Sequence, residues 1–220
     1  MDWFLECCCT SAEEVAAAQK LGAKRIELCS QLEVGGVTPS ESLLREVHSI
    51  ARIPVNVLIR PHRAPIGSSE FGFTAADFVY SPEEVDQILS DIRMCAPMVS
   101  GVVIGALTPT GSVDMPVMRR LIAEAHSLGL SVTFHRAFDV CADPLAAFDD
   151  ILSLGCERLL TSGHEPKAEA GAPLLAQLVA LAGPRLIVMP GSGIRPSNIY
   201  SLFEITHARE FHASFAYFSA

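Results

Sequence analysis

Short apolar runs recur along the chain, each ending in a polar tip and each followed by a segment of helical character. The runs are LEC at 5–7, RIELC at 25–29, VNVLIR at 55–60, GVVIG at 101–105, SVTFHR at 131–136, RLLTSG at 158–163, LIVMPG at 186–191 and EFHAS at 210–214. Eight strand–helix units in one chain of 220 residues predict an α/β fold, a closed (β/α)₈ TIM-type barrel. Such a barrel gathers chemistry at the carboxyl ends of its strands. That rule singles out Glu6, Cys8, Glu27, Cys29, Arg60, His135, Arg136, Thr161, Ser162 and His212.

The helical segments carry their own punctuation. Ser11-Ala-Glu-Glu has the form of a capping box and opens an Ala-rich helix to Leu21, stopped by Gly22. Further helices are expected at 41–50, from Ser81-Pro82-Glu83-Glu84, and at 114–128, 143–154, 172–182 and 196–203. The Gly-, Pro- and Ser-rich stretch between Pro61 and Tyr80 is long for a barrel loop, and loops of that length are usually functional or mobile. After the eighth run only FAYFSA remains, so the helix that should follow strand 8 is missing or truncated. Its absence leaves apolar faces that either a subunit contact covers, giving a homo-oligomer, or a shortened form exposes.

Composition narrows the setting. Half of the residues are hydrophobic and 19% charged, enough apolar material for one substantial core, and no low-complexity linker interrupts 1–220 as a single domain. A net charge of −9 argues against nucleic acid or an anionic membrane as the main partner, while leaving room for a locally cationic mouth. No apolar stretch approaches the roughly 20 residues of a spanning helix, and MDWFLECCC lacks the basic start of a signal peptide. Seven cysteines, an odd number set mostly in apolar runs, fit reduced thiols and a cytoplasmic location.

Strand parity places Glu6 with Cys8 on one face, and Glu27 with Cys29 on one face of the next strand. Parallel neighbours lie about 4.8 Å apart, so the two thiols can meet, and a thiolate pair suits a soft ion such as Cu(I). The alternative is that both are small buried hydrophobes. Cys7 and Cys9 have the opposite parity and should face the helices.

In TFHRAFD, His135 offers proton exchange, Arg136 an anion clamp, and Asp139 a carboxylate to orient the imidazole. Arg136 and Asp139 serve equally as a structural ion pair. His135 and Arg136 cannot both face the lumen unless the strand has ended. PGSGI at 190–194 and TSG at 161–163 suggest an anion site built from Ser162, Gly163, Gly191, Ser192, Gly193 and His212, or simply tight turns. Arg60 and Glu27 complete the catalytic candidates. Lys20, Lys24 and Lys167 lie off the strand ends, which argues against Schiff-base chemistry. No P-loop, dinucleotide fingerprint or pair of alternating histidines on strand 1 is present. Two functions remain in view: a copper-binding protein, or a barrel enzyme acting on a small anionic or phosphorylated metabolite.

Taken together, RIELCSQLEVGGVTPS, VLIRP, GVVIGALTPTGSVD, TFHRAFD, RLLTSG, MPGSGI and EFHAS resemble the CutC copper-homeostasis family over nearly the whole chain. The resemblance implies a (β/α)₈ barrel, a cytoplasmic setting, a tendency to oligomerise, and a role in copper tolerance through cysteine binding of Cu(I). By motif position, Cys8 in ECCCTS and Cys29 in RIELCS correspond to the cysteines proposed as copper ligands. Two departures stand out. The segment His62 to Val79 replaces a short glycine-rich turn and could lid the mouth, and the family's closing segment after EFH is nearly absent.

Overall fold

The computed structural model describes residues 3–62 and 71–218. Eight strands alternate with helices: β1 Phe4–Cys9, β2 Arg25–Leu28, β3 Val55–Leu58, β4 Gly101–Ile104, β5 Ser131–Phe134, β6 Arg158–Thr161, β7 Ile187–Pro190 and β8 Glu210–Ser214. They form one parallel sheet in the order β7-β6-β5-β4-β3-β2-β1-β8, nearly closed into a barrel. The helices are α1 Ala12–Lys20, α2 Glu41–Ile50, α3 Pro82–Cys95, α4 Met115–Ser127, α5 Pro144–Leu154, α6 Ala172–Ala182 and α7 Ile199–Thr206.

Most helix starts follow local capping. The Ser11 and Ser40 hydroxyls accept from Glu14 and Leu43 amides, and Ser81 with Glu84 closes a reciprocal capping box ahead of Pro82. The last helix departs from expectation, beginning at Ile199 rather than Pro196. The Asn198 side chain accepts from the Arg195 amide and donates to the Gly193 carbonyl, which holds 193–198 as a loop and delays the helix by three residues.

Parity divides the strands as the barrel requires. Cys7, Cys9, Ile26, Leu28, Val57, Val132 and Phe134 join the core between sheet and helices, where burying a large apolar side chain contributes about 1.5–3 kcal/mol. Cys8, Cys29, Leu58 and Val103 form a separate apolar cluster inside the barrel. Charge closes the barrel floor. Arg25 of β2 donates through Nε to Glu6 of β1 and through Nη2 to Glu210 of β8 at 2.7 Å. Arg158 of β6 reaches the same Glu210 at 3.2 Å, spanning the junction of β7 with β8.

Beyond β8 the chain makes a single 3₁₀ turn, Phe215–Tyr217, and among the described residues no helix follows. On α7, Tyr200 and Ile205 stand half exposed. Of the expected mouth segment 62–79, residues 63–70 lie outside the described residues. The remainder carries a turn, Ala75–Phe78, capped reciprocally by Thr74 and Asp77, that brings Phe78 under the mouth.

Candidate functional site

The carboxyl ends of the strands open into a cavity of ≈ 1000 Å³. Cys8, Glu27, Cys29, Arg60, His135, Arg136 and His212, from five strands or the turns just past them, all line it. His135 and Arg136 both do so because β5 ends at Phe134 and Arg136 starts a 3₁₀ turn, releasing them from strand alternation. Gly105 gives the imidazole its space: a Cβ there would lie 2.6 Å from His135 Nδ1.

At the base of the cavity lies a chain of three ionisable groups. His212 Nδ1 is 2.8 Å from Glu6 Oε1, and its Nε2 is 3.3 Å from Glu27 Oε2. Burial raises the Glu6 carboxyl, but the His212 hydrogen bond and the Arg25 and His212 charges outweigh it and bring the pKa to about 2. Glu27 has no such hydrogen bonds; burial, reinforced by the charge of Glu6, pushes it up to about 7. Burial disfavours the His212 imidazolium, yet the charge of Glu27 and the bond to Glu6 hold it above its usual value. Two carboxylates flanking one histidine thus titrate far apart, because Arg25 and His212 hydrogen-bond one while burial of the other outweighs the charge of His212.

Above Glu27 sit the two thiols, Cys8 Sγ and Cys29 Sγ, 3.7 Å apart. The β1–β2 register sets this distance: Cys8 pairs with Glu27, and the Cys29 amide donates to the Cys9 carbonyl. The Cys29 contact, burial and the charge of Glu27 push the Cys8 thiol well up, so without a metal it is protonated. Ligand atoms of Cys8, Glu27 and His212 lie within 4.8 Å of one another. Both His212 nitrogens already face carboxylates, which leaves the thiol pair as the better-fitting donor set for a soft ion.

The second cluster differs from its sequence reading. Asp139 does not orient His135. Fully buried, it accepts from Arg136 Nε at 2.8 Å, from the Ser162 amide and hydroxyl, from the His164 amide, and from the Thr161 hydroxyl. His135 instead accepts the Ala137 amide on Nδ1 at 3.2 Å. The donors of Ser162 that could have met a bound anion are therefore taken within the protein, the amide by Asp139 and the hydroxyl by Asp139 or the Glu165 carbonyl, and the Gly163 amide donates to Thr161 Oγ1. Gly191 is a packing position, since a Cβ there would fall 2.5 Å from Leu160. Of the proposed anion residues, Ser192, Gly193 and His212 line the cavity.

Three charged residues of the mouth escaped the sequence reading: Glu33, Lys167 and Arg195. Lys167 lies off the strand ends, but the β6–α6 loop folds back so that its side chain packs on Gly193. No local pattern marks such a loop residue.

The family model of the CutC family matches residues 3–217. A family protein CutC of Parabacteroides distasonis is 43% identical over 216 residues, which cover 97% of this chain and 83% of the relative. One from Xylella fastidiosa is 47% identical over 211 residues, 96% of this chain and 74% of its own. Among solved structures, a Streptococcus agalactiae protein provisionally named the copper homeostasis protein CutC superposes with a TM-score of 0.83 at 27% identity, covering 96% of this chain and 98% of that one.

Proposed function

The chain belongs to the CutC family, and from that premise we propose that its cavity is the site of an enzyme that moves a proton on a small anionic metabolite. The observation that carries this reading is the Glu6–His212–Glu27 chain opening into a space of ≈ 1000 Å³, far larger than an ion needs. Glu27 exchanges the proton with substrate. His212 supports its ionised form, and Glu6, permanently charged and held by Arg25, fixes the imidazole from behind. A carboxyl titrating at about 7 has both forms present near neutrality, which is what proton transfer in either direction needs.

The test is hydrogen–deuterium exchange into bound metabolites in heavy water, using compounds first selected by their stabilisation of the folded chain. Glu27 must be ionised to accept a proton, so exchange should rise as pH climbs through about 7. Glu27→Gln should lower it by roughly 10²–10⁴-fold. If no stabilising metabolite exchanges, or if the variant exchanges as fast as the parent, the proton-transfer reading fails.

A second reading rests on a different observation, the 3.7 Å separation of Cys8 and Cys29. Here the cargo is Cu(I), bound by two thiolates, a soft ion on soft ligands. Among the described residues all seven cysteines are free thiols, which supports a reducing, cytoplasmic setting. Binding would displace thiol protons, so the apparent affinity should rise with pH. In a Cu(I) competition titration, Cys8→Ser and Cys29→Ser are each expected to weaken binding by orders of magnitude. Parental affinity in both variants would remove copper from the reading.

A further inference from the structure

Arg60 is only 2% exposed, yet much of its guanidinium has no partner. Nη1 donates to the Gly35 carbonyl at 3.2 Å, while Nε and Nη2 meet no acceptor among the described residues. Those two N–H groups lie on one edge of the guanidinium, the edge that grips both oxygens of a carboxylate. Two other arginines, one in the floor and one at this end, have that edge filled. Arg25 gives it to Glu6 and Glu210, and Arg136 to Asp139 and Ser162. A buried charged donor left open costs stability, and the cavity is where Arg60 points.

A second open donor stands beside it. His135 Nδ1 accepts the Ala137 amide, which puts the ring proton on Nε2, and Nε2 has no partner among the described residues. Both groups rest on the Phe78 ring, the guanidinium 4.8 Å and the imidazole 4.9 Å from its centroid. Burial, together with the charge of Arg60, lowers His135 to about 3, so it is a neutral donor at physiological pH.

We infer that Arg60 and His135 form the head-group end of the cavity and take the carboxylate of a small organic acid. The Arg60 Nε/Nη2 edge holds its two oxygens and His135 Nε2–H supplies a third hydrogen bond. The charge balance selects a carboxylate. One guanidinium among Leu58, Phe73 and Phe78 neutralises one negative charge, whereas a phosphate dianion would leave a second charge buried. Lys167 and Arg195, the other open cations of the mouth, come from loops after β6 and β7, across the barrel from β3. The inference deepens the small-anion reading above by naming the group recognised. It concerns equilibrium binding at Arg60 and needs no turnover, so it stands or falls separately from proton exchange at Glu27.

The experiment follows the Arg60 Nε–H resonance of the isotope-labelled full chain, assigned by its disappearance in Arg60→Lys, while pyruvate, succinate or inorganic phosphate is added at neutral pH. The carboxylates should give a saturable shift of that resonance. Calorimetric titration gives the Kd of parent and variants alike, and Arg60→Gln should raise it on the order of 100-fold, since two charge-assisted hydrogen bonds are lost. Arg60→Lys keeps the charge but not the two-pronged edge and should lose most of the affinity as well, and His135→Gln should lose less. Thermal unfolding of each variant establishes that it is folded before its Kd is compared. No saturable response to either carboxylate overturns the inference, and so does a response to phosphate alone or an unchanged Kd in folded Arg60→Lys.

Discussion

Replacing Glu6 with alanine is expected to destabilise the protein by about 3–5 kcal/mol, the usual consequence of removing one partner from a buried ion pair. Glu6 is fully buried and bonds two groups at once, the Arg25 guanidinium and the His212 imidazole. Without it Arg25 keeps Glu210 as its carboxylate partner, and His212 loses the carboxylate bonded to Nδ1. Because the pKa of Glu6 is lowered to about 2, its stabilisation is present above its unfolded value near 4.5 and disappears as pH falls towards 2. Urea unfolding of parent and variant near neutrality measures the difference. A loss below about 1 kcal/mol, the scale of an exposed ion pair, would mean that the floor charges are effectively solvated.

Asp139→Ala should be comparably damaging, by about 3–5 kcal/mol, for a different reason. One buried carboxylate satisfies the Arg136 guanidinium, two hydroxyls and two backbone amides, and each donor left open costs about 1–3 kcal/mol. Some of those donors can recover water, which keeps the total below the simple sum. The damage should be local first: amide exchange at Ser162 and His164 should accelerate more than exchange in β1 or β2. Uniform acceleration across the barrel, or protection at Ser162 equal to the parent's, would contradict the role of Asp139 as the anchor of the β5 and β6 loop ends. The carboxylate thus holds the wall of the cavity without touching what enters it.

Much of the architecture is readable from local pattern. Alternation placed Cys8 and Cys29 inside the barrel and Cys7 and Cys9 outside it, and both placements agree with the packing. Capping signals located the starts of α1 and α3, because a serine hydroxyl bonding an amide three positions on involves no distant part of the chain. Where a distant residue intervened, the local reading failed. The Asn198 side chain donates to Glu169, 29 residues earlier, as well as turning back to Gly193 and Arg195, so α7 starts late, and Pro196 and Ser197 become cavity wall. Lys167 reached the mouth through loop folding that carries no periodic signature. Asp139 lay close in sequence to His135, yet the protein turned it toward Ser162 of the next strand.

The residues themselves determined the eight repeating units, the face on which each strand side chain stands, and hence which polar tips meet at one end. Those follow from a two-residue alternation and from the closed geometry it must fill. Only the tertiary structure decided what each buried polar group bonds to. It left the Arg60 edge open while filling that of Arg136, and it set the pKa values of Glu6 and Glu27 far apart around a single histidine. A hydrogen bond depends on ångström distances between side chains that the stagger of neighbouring strands brings together, and strand alternation carries no information about that stagger.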